Sequence, residues 1–167
     1  LLYQDKFAEA ASALDNVIGV YSLVSDYGSQ FLRFGENGPE SVFEIQYSNQ
    51  SNWYDWGCAH CSEGNYAIIM NGPRGWSGPE YAQGWSFNVP TAEFYNSFEE
   101  GDTRRDATVL DIEAFAAATG ANYTEGYDHT GYFNNKYIPR AGESGGQTEL
   151  NYLTNFRIIR YSDVLLM

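Results

Sequence analysis

The stretch Asn155 to Met167, NFRIIRYSDVLLM, decides the class of fold that this sequence predicts. It is too apolar for a free tail, and Val164 to Met167 is an unbroken apolar run. Arg160 and Asp163 stand three residues apart, so they can pair along one face of a helix. No glycine, proline or lysine-rich stop follows the run, so we expect a helix that starts near Arg160 and continues in the native protein.

The beginning of the chain, Leu1 to Ile18, carries the clearest helical pattern. Its apolar residues recur at spacings that place them on one face of a helix, and Gly19 is a suitable C-terminal stop. These residues are Tyr3, Phe7, Ala10, Ala11, Leu14, Val17 and Ile18. The pattern resembles one helix of a tetratricopeptide hairpin, which cannot bury its face alone. We therefore expect partner helices, and the terminal segment near Arg160 is the natural candidate.

The middle of the chain, residues 20–154, is rich in loops and predicts only short strands and helices. Glu40 to Tyr47, ESVFEIQY, alternates as a half-buried strand does. Its faces are Phe43, Ile45 and Tyr47 on one side and Val42, Glu44 and Gln46 on the other. Tyr66 to Met70 is a short apolar run that predicts another strand. Ala107 to Ala118 fits a strand or a helix equally well.

The segment Gly84 to Val109 predicts a short strand followed by a short helix. The strand would carry the alternating residues Trp85, Phe87 and Val89. Pro90 and Thr91 then open the helix, and we expect Thr91 to be its N-cap because a threonine oxygen accepts a hydrogen bond from the first helical turn.

The composition excludes several classes of function. A net charge of −13 makes nucleic acid a poor partner, because phosphate binding needs a basic surface. A glycosidase needs two carboxylates that face each other across one bond. The candidates here are adjacent, as Glu99 and Glu100 are, or are placed to pair with basic residues in a turn, as Asp102 and Arg104 are. No Ser/His/Asp grouping or phosphate-binding glycine loop occurs, so we expect no enzyme and no cofactor.

Four patches of the sequence, in the right order, resemble one family. They are ESVFEIQY at Glu40 to Tyr47, GWSFNVPT at Gly84 to Thr91 with the later Gly101-Asp102, HTGYF at His129 to Phe133, and RYSDVLLM at Arg160 to Met167. The last resembles the Arg-Tyr-Ala-Asp-Val-Leu-Leu-Met signature of the SusD/RagB family, with Ser162 in place of the usual alanine. This family comprises surface nutrient-binding lipoproteins of Bacteroidetes, and the similarity spans nearly the whole sequence.

The resemblance implies a mainly α fold with an irregular α+β part. Tetratricopeptide-type helices would bracket a loop-rich subdomain with short strands, and the chain would be a fragment of one SusD-like domain. In that fragment, residues 1–19 form a helix of the repeat region, residues 20–154 form the irregular subdomain, and residues 155–167 start a C-terminal repeat helix.

The resemblance also implies a function. Such a protein is a cell-surface-exposed lipoprotein of the outer membrane, which binds an oligosaccharide and delivers it to a SusC-type TonB-dependent transporter without covalent chemistry. It would contact the membrane only through an N-terminal lipid anchor outside this sequence. The alternatives are a RagB-like uptake protein that binds peptide, which the acidic charge would suit, and a tetratricopeptide-type scaffold that binds only protein. The large aromatic middle disfavours the scaffold.

Aromatic residues in the loops are the sharpest functional feature of the sequence. Flat rings outside any periodic pattern suit the faces of sugars, while neighbouring Asn and Asp side chains can bond hydroxyl groups. The predicted ligand-binding residues are Trp53, Tyr54, Trp56, Trp76 and Tyr81, with Asn52 and Asp55, and the interleaved asparagines are Asn49, Asn65 and Asn71. Alternatively, such rings fill small cores that hold long loops together. Trp85 lies in a predicted strand, which favours a core position.

The segment Cys58-Ala-His-Cys61 holds both cysteines of the chain. A CxxC pair can form a disulfide, carry redox chemistry or supply half of a zinc site. Zinc normally takes four ligands, and His60 would be only a third while His129 is far away in the sequence, so we predict no metal site. The oxidising surface compartment that the resemblance implies favours a local disulfide that holds an aromatic loop. Free thiols and a metal or redox site remain the alternatives.

Overall fold

A computed structural model of the protein describes residues 1–50, 56–144 and 150–167, which form short helices and strands joined by long turns. In these ranges the α-helices are α1 Phe7–Leu14, α2 Ala67–Met70, α3 Ala92–Asn96, α4 Arg104–Thr108, α5 Ile112–Thr119 and α6 Tyr161–Leu166. The strands are β1 Ser41–Ile45, β2 Arg74–Ser77, β3 Val109–Asp111, β4 Asn122–Thr124, β5 Tyr132–Asn134 and β6 Phe156–Arg160. Short 3-10 helices span Leu2–Gln4, Gly28–Phe31, Arg33–Gly35 and Trp56–Cys61. None of the helices in the described ranges has the length and apolar character needed to cross a membrane.

The strands pair into separate two-stranded antiparallel sheets, β1 with β6, β2 with β4 and β3 with β5. In the first sheet Ser41 lies opposite Arg160, and Ile45 lies opposite Phe156. The alternating segment near the start of the chain and the terminal stretch therefore lie side by side, although more than half of the sequence separates them.

The terminal stretch is a strand that turns directly into a helix. The helix begins at Tyr161, one residue after the predicted start near Arg160. The carboxylate of Asp163 accepts one hydrogen bond from the backbone N–H of Arg160 (2.8 Å) and one from its guanidinium (3.1 Å). These bonds cap α6 and confirm the predicted pairing of the two side chains.

Helix α1 is shorter than the predicted helix Leu1 to Ile18. Asp5 adopts a left-handed conformation, with φ of 56°, which separates α1 from the short turn that precedes it. At the other end the helix stops at Leu14, before the predicted stop at Gly19. The side-chain amide of Asn16 donates hydrogen bonds to the last helical carbonyl groups, so a side chain rather than a glycine ends the helix.

The apolar face of α1 is only partly covered. Phe7 is 63% exposed, whereas Ala10 is 4% exposed. A groove of about 250 Å³ runs between α1 and the end of α6, lined by Leu1, Leu2, Tyr3, Ala10, Ala13, Leu14 and Met167. Helix α1 and Met167, which follows α6, therefore line one open apolar surface, on which further helices could pack.

The predicted strand from Tyr66 to Met70 is wrong, because this run forms helix α2. The side-chain oxygen of Asn65 accepts a hydrogen bond from the N–H of Ala67 (3.2 Å) and opens the helical turn. Ile68 and Ile69 are both buried, at 0% and 2% exposure. A strand would have directed these neighbours to opposite faces.

The predicted strand through Trp85 is also wrong. Ser86 and Asn88 adopt φ angles of 57° and 53°, which a strand does not allow. Thr91 is the N-cap of α3, as predicted, and its hydroxyl oxygen accepts a hydrogen bond from the N–H of Phe94 (3.2 Å).

The ambiguous stretch Ala107 to Ala118 contains both a strand and a helix, β3 followed by α5. Asp111 ends the strand and caps the helix, because its carboxylate accepts a hydrogen bond from the N–H of Ala114 (2.9 Å). Gly120, with φ of 73°, forms the left-handed C-terminal cap of α5.

Two small cores hold these elements together. The first core consists of Tyr81, Leu110, Ile112, Phe133 and Ile138, with Trp76, Val89, Phe115 and Tyr123 packed against it. The second core consists of Ile68, Ile69 and Tyr152, with Trp85 and Tyr137 packed against it. The predicted core position of Trp85 is therefore confirmed.

Strand β1 turns a charged residue inward rather than its apolar face. Phe43 is 55% exposed and Ile45 is 41% exposed, while the side chain of Glu44 is 1% exposed. Glu44 Oε1 lies 3.4 Å from Nε of Arg157, whose side chain is equally buried. Asn155 donates a hydrogen bond from Nδ2 to the other carboxylate oxygen (3.0 Å). An ion pair with hydrogen bonds thus occupies the side of the strand where apolar contacts are usual.

Arg157 also ties a neighbouring loop to this sheet. Its guanidinium donates hydrogen bonds to the backbone oxygens of Asn155 (2.7 Å) and Leu32 (3.1 Å). Glu36 lies beside it and accepts a hydrogen bond from the N–H of Asn155 (2.9 Å). Burial raises the pKa of the Glu36 carboxyl group, although this hydrogen bond and the Arg157 guanidinium act in the opposite direction.

We expect Arg157→Ala to lower the free energy of unfolding by about 3–5 kcal/mol, because Glu44 would be left as a buried charge without its partner. Arg33→Ala is the matched control, since it removes a more exposed pair with Glu36, at 3.6 Å. The control should cost less than about 1 kcal/mol. Urea unfolding measures both losses of stability. Equal losses would contradict the expectation that breaking the buried pair costs more than breaking the exposed one.

We expect Glu36→Gln to change how stability depends on pH. With a raised pKa in the folded state, Glu36 binds its proton more tightly when folded, so this stabilisation is present at acid pH and is lost as the pH rises through the raised pKa. The wild type should lose stability relative to Glu36→Gln as the pH rises above the ordinary value of 4.5. Urea unfolding of both proteins from acid to neutral pH measures this; a difference independent of pH would count against it.

Candidate functional site

Three aromatic side chains from separate loops meet at the surface, and we call them the Trp56 cluster: Trp56, Tyr66 and Trp85. The ring centroids of Trp56 and Trp85 are 5.1 Å apart, and the ring of Tyr66 stands edge-on to Trp56 at 6.1 Å. Trp56 is 39% exposed and Tyr66 is 42% exposed. The cluster therefore offers aromatic faces to solvent at a place where the rings already support one another.

Two features hold the Trp56 cluster in place: the second core and the disulfide-bonded segment next to Trp56. Trp85 packs against the second core, and its backbone N–H donates a hydrogen bond to the carbonyl of Ile69 in α2 (2.9 Å). Trp56 begins the 3-10 segment Trp56–Cys61, in which a disulfide joins Cys58 and Cys61. Both supports restrict the rings before any ligand arrives, which lowers the entropy cost of binding.

The structure places the predicted ligand-binding residues in different surroundings. Trp56 lies on the surface within the cluster. Asn52, Trp53, Tyr54 and Asp55 lie outside the described residues, and their role in binding stays a prediction. Tyr66 was missed because it belongs to the apolar run Tyr66 to Met70, which suggested a strand.

Trp76 and Tyr81 pack at the first core, away from the second core that supports the Trp56 cluster. Tyr81 is 4% exposed, and its hydroxyl donates a hydrogen bond to Oδ1 of Asn135 (3.2 Å). Its ring centroid lies 5.9 Å from Trp76 and 5.0 Å from Phe115 of α5. Burial raises the pKa of Tyr81. Both rings pack against Phe115 of α5, which favours the alternative that they fill a small core.

Two of the interleaved asparagines bond the backbone instead of facing solvent. Asn65, 2% exposed, donates a hydrogen bond from Nδ2 to the carbonyl of Thr154 (2.9 Å). Asn71, 7% exposed, donates one to the carbonyl of Tyr137 (2.9 Å). Their amides are therefore committed to holding loops together.

Asp102 serves a turn and Asp111 a helix cap, while Glu113 lies near a histidine. The guanidinium of Arg104 donates hydrogen bonds to Asp102, at 2.9 and 3.1 Å, and lowers the pKa of Asp102 to about 2. This confirms the predicted charge pairing in the turn. Asp111 caps α5, and Glu113 lies 3.8 Å from Nε2 of His129. These contacts give each group a local partner.

Within the described ranges, a single group of three residues could hold a metal ion: Cys58, His60 and Cys61, with ligand atoms within 4.8 Å of one another. The two sulfur atoms are joined in the disulfide, and a thiolate rather than a disulfide is the ligand that metals take from cysteine. In this oxidised form the group does not fit a metal site.

Several solved structures similar to this chain have names that describe glycan binding. Surface glycan-binding protein A from Bacteroides fluxus matches with a TM-score of 0.87 and 30% identity over 98% of this chain and 34% of its own. A laminarin binding SusD-like protein matches with a TM-score of 0.86 and 36% identity over 99% of this chain and 39% of its own. Surface glycan-binding protein A from Bacteroides thetaiotaomicron, in complex with laminarihexaose, matches with a TM-score of 0.85 and 32% identity over 98% of this chain and 38% of its own.

A curated relative agrees with these structures. "SusD-like protein P2" from Formosa agariphila is 28% identical over 137 residues, which are 77% of this chain and 25% of that protein. The chain therefore spans about a quarter of the curated relative and little more than a third of the solved structures. A sequence model of the SusD family matches residues 39–167. Because that match covers most of the chain, and the fold agrees with it, this chain belongs to the SusD family.

Proposed function

We propose that this chain is part of a surface protein that binds an oligosaccharide without covalent chemistry. The observation that carries the proposal is the Trp56 cluster, in which Trp56 and Tyr66 are exposed while Trp85 anchors them to the second core. Aromatic rings have broad apolar faces that suit the C–H face of a sugar ring, and polar groups nearby can bond its hydroxyl groups. Glycan binding is also what the names of the similar solved structures describe.

We also propose a binding role for the residues just before Trp56. Asn52, Trp53, Tyr54 and Asp55 directly precede it in the sequence. Two further rings and two hydroxyl-bonding side chains would enlarge the platform. We propose them as contacts on the strength of chemistry and chain proximity.

The wider role follows the family. We propose that the protein is an outer-membrane, cell-surface lipoprotein, anchored by a lipid outside this sequence, which delivers its ligand to a SusC-type TonB-dependent transporter. Helices α1 and α6 would belong to a tetratricopeptide-type repeat region, and their shared open groove supports this assignment. The binding surface would lie on the irregular subdomain between them.

We expect Trp56→Ala to weaken oligosaccharide binding about thirtyfold, or about 2 kcal/mol, while leaving the melting temperature nearly unchanged. Trp76→Ala is the matched control, since this ring packs at the first core. It should cost about 3–5 kcal/mol of stability, and the folded fraction should keep its affinity. Calorimetry with laminarihexaose and a panel of other oligosaccharides, paired with thermal unfolding of the full-length protein, measures both effects.

If Trp56→Ala lowers the melting temperature and leaves affinity intact, the cluster is a packing feature and the binding surface lies elsewhere. Binding of cationic peptides instead of any oligosaccharide would favour the RagB-like alternative, which the net charge of −13 suits. Failure to bind either kind of ligand, with retained binding of other proteins, would favour the scaffold alternative.

We expect the isolated 167-residue chain to associate in solution, because the groove between α1 and α6 leaves apolar side chains open to water. On the same two helices, outside the residues that line the groove, Phe7 is 63% exposed and Leu166 is 87% exposed. Light scattering and binding of a hydrophobic dye measure this, and Phe7→Ser with Leu166→Ser should reduce both signals. A monodisperse monomer with no dye binding would contradict a helical interface here.

A further inference from the structure

The two cysteines of the Cys58–Cys61 disulfide differ in exposure and in what lies next to them. Cys61 and His60 are exposed, whereas Cys58 is half-buried. The imidazole of His60 lies next to Cys58, with Nε2 at 3.3 Å and Nδ1 at 3.6 Å from its Sγ. The residue at one end of the bridge is therefore exposed, and the sulfur at the other end has a hydrogen-bonding group beside it.

We propose that Cys58, His60 and Cys61 form a thiol–disulfide exchange site, whose substrate is a small or protein-borne thiol. The thiolate of the incoming thiol attacks Sγ of Cys61 and forms a new sulfur–sulfur bond there. The Cys58–Cys61 bond breaks, and Cys58 leaves as a thiolate. A second thiol, or Cys58 itself in the reverse direction, then resolves the mixed disulfide, so the electrons that reduce the bridge come from the attacking thiols.

The direction of attack follows from access. Exchange proceeds through attack of a thiolate on one disulfide sulfur, and its rate depends on which sulfur can be reached. Cys61 is exposed at the end of the 3-10 segment Trp56–Cys61, while Cys58 is partly covered. An incoming thiol therefore meets Cys61 first, which makes Cys58 the leaving group.

The imidazole of His60 lies next to Sγ of Cys58, the sulfur that would leave. Negative charge develops on the departing sulfur, and a histidine next to a cysteine favours its thiolate form. Nε2 of His60 lies 3.3 Å from Sγ of Cys58, so it can donate a hydrogen bond to that sulfur when the ring carries a proton on this nitrogen. A thiolate stabilised in this way leaves faster.

The bridge can open without unfolding the protein. It joins residues only three positions apart, so the ring is short and its contribution to stability through the unfolded state is small. The second core, beneath the neighbouring Trp56 cluster, is formed by Ile68, Ile69 and Tyr152 and does not include the bridge. Exposed disulfides of this kind are the labile ones, in contrast to buried structural bridges.

The test follows opening of the bridge by reduced glutathione in the full-length protein. Samples are quenched with acid, alkylated and mapped by peptide mass spectrometry. We expect transient glutathione on Cys61 and the alkyl label on Cys58 of the same molecules. Glutathione found first on Cys58 would overturn the proposal.

Variants of His60 test whether the imidazole speeds the opening of the bridge, beyond the effect of the exposure of Cys61. We expect His60→Phe, which keeps a ring but has no N–H, to open roughly tenfold more slowly, in line with the strength of a hydrogen bond to a charged group. His60→Gln retains a donor and should recover part of the rate, and His129→Gln, at the other histidine, should behave as wild type. Melting temperatures should be equal for wild type and the His60 variants. Opening of His60→Phe at the wild-type rate would overturn the role of the imidazole.

Discussion

The buried contact between Arg157 and Glu44 is the interaction on which the rest of the structure depends. A guanidinium removed from water needs a carboxylate and further acceptors around it. Here β1 supplies the carboxylate, while the backbone oxygens of Leu32 and Asn155 supply acceptors. Three distant parts of the chain must therefore be in place at once. The outward position of Phe43 follows, because only one face of β1 can meet the guanidinium.

Side-chain amides donate hydrogen bonds to backbone carbonyl groups that the short strands leave unpaired. Buried backbone carbonyl groups need donors, and two-stranded sheets of three to five residues per strand satisfy few of them. Asn65 and Asn71 donate to carbonyl groups that lie 89 and 66 residues away in the sequence. The side-chain amide of Asn155 donates hydrogen bonds to Glu44 in β1 and to Gln46 just after it. The loops are thus held by polar side chains as much as by the two small cores.

Aromatic residues serve two purposes in the same subdomain. Tyr81 joins the first core with Trp76 packed against it, whereas Trp85 covers the second core and supports the exposed Trp56 above it. Because Trp56 rests on the packed ring of Trp85, it is accessible to a ligand and also held in place. The neighbouring disulfide at Cys58 restricts the same loop, so the proposed binding surface and the proposed exchange site share a short segment of chain.

The sequence by itself determined the Arg160–Asp163 pair and the Thr91 cap, because each depends on residues three positions apart, and four patches spread along the chain determined the family. It identified loop aromatics as the notable feature, and Trp56 among them. Only the tertiary structure decided that β1 buries Glu44 and that Tyr81 is covered. Both outcomes depend on partners far away along the chain, and local alternation or loop character carries no information about which distant surface a side chain will meet.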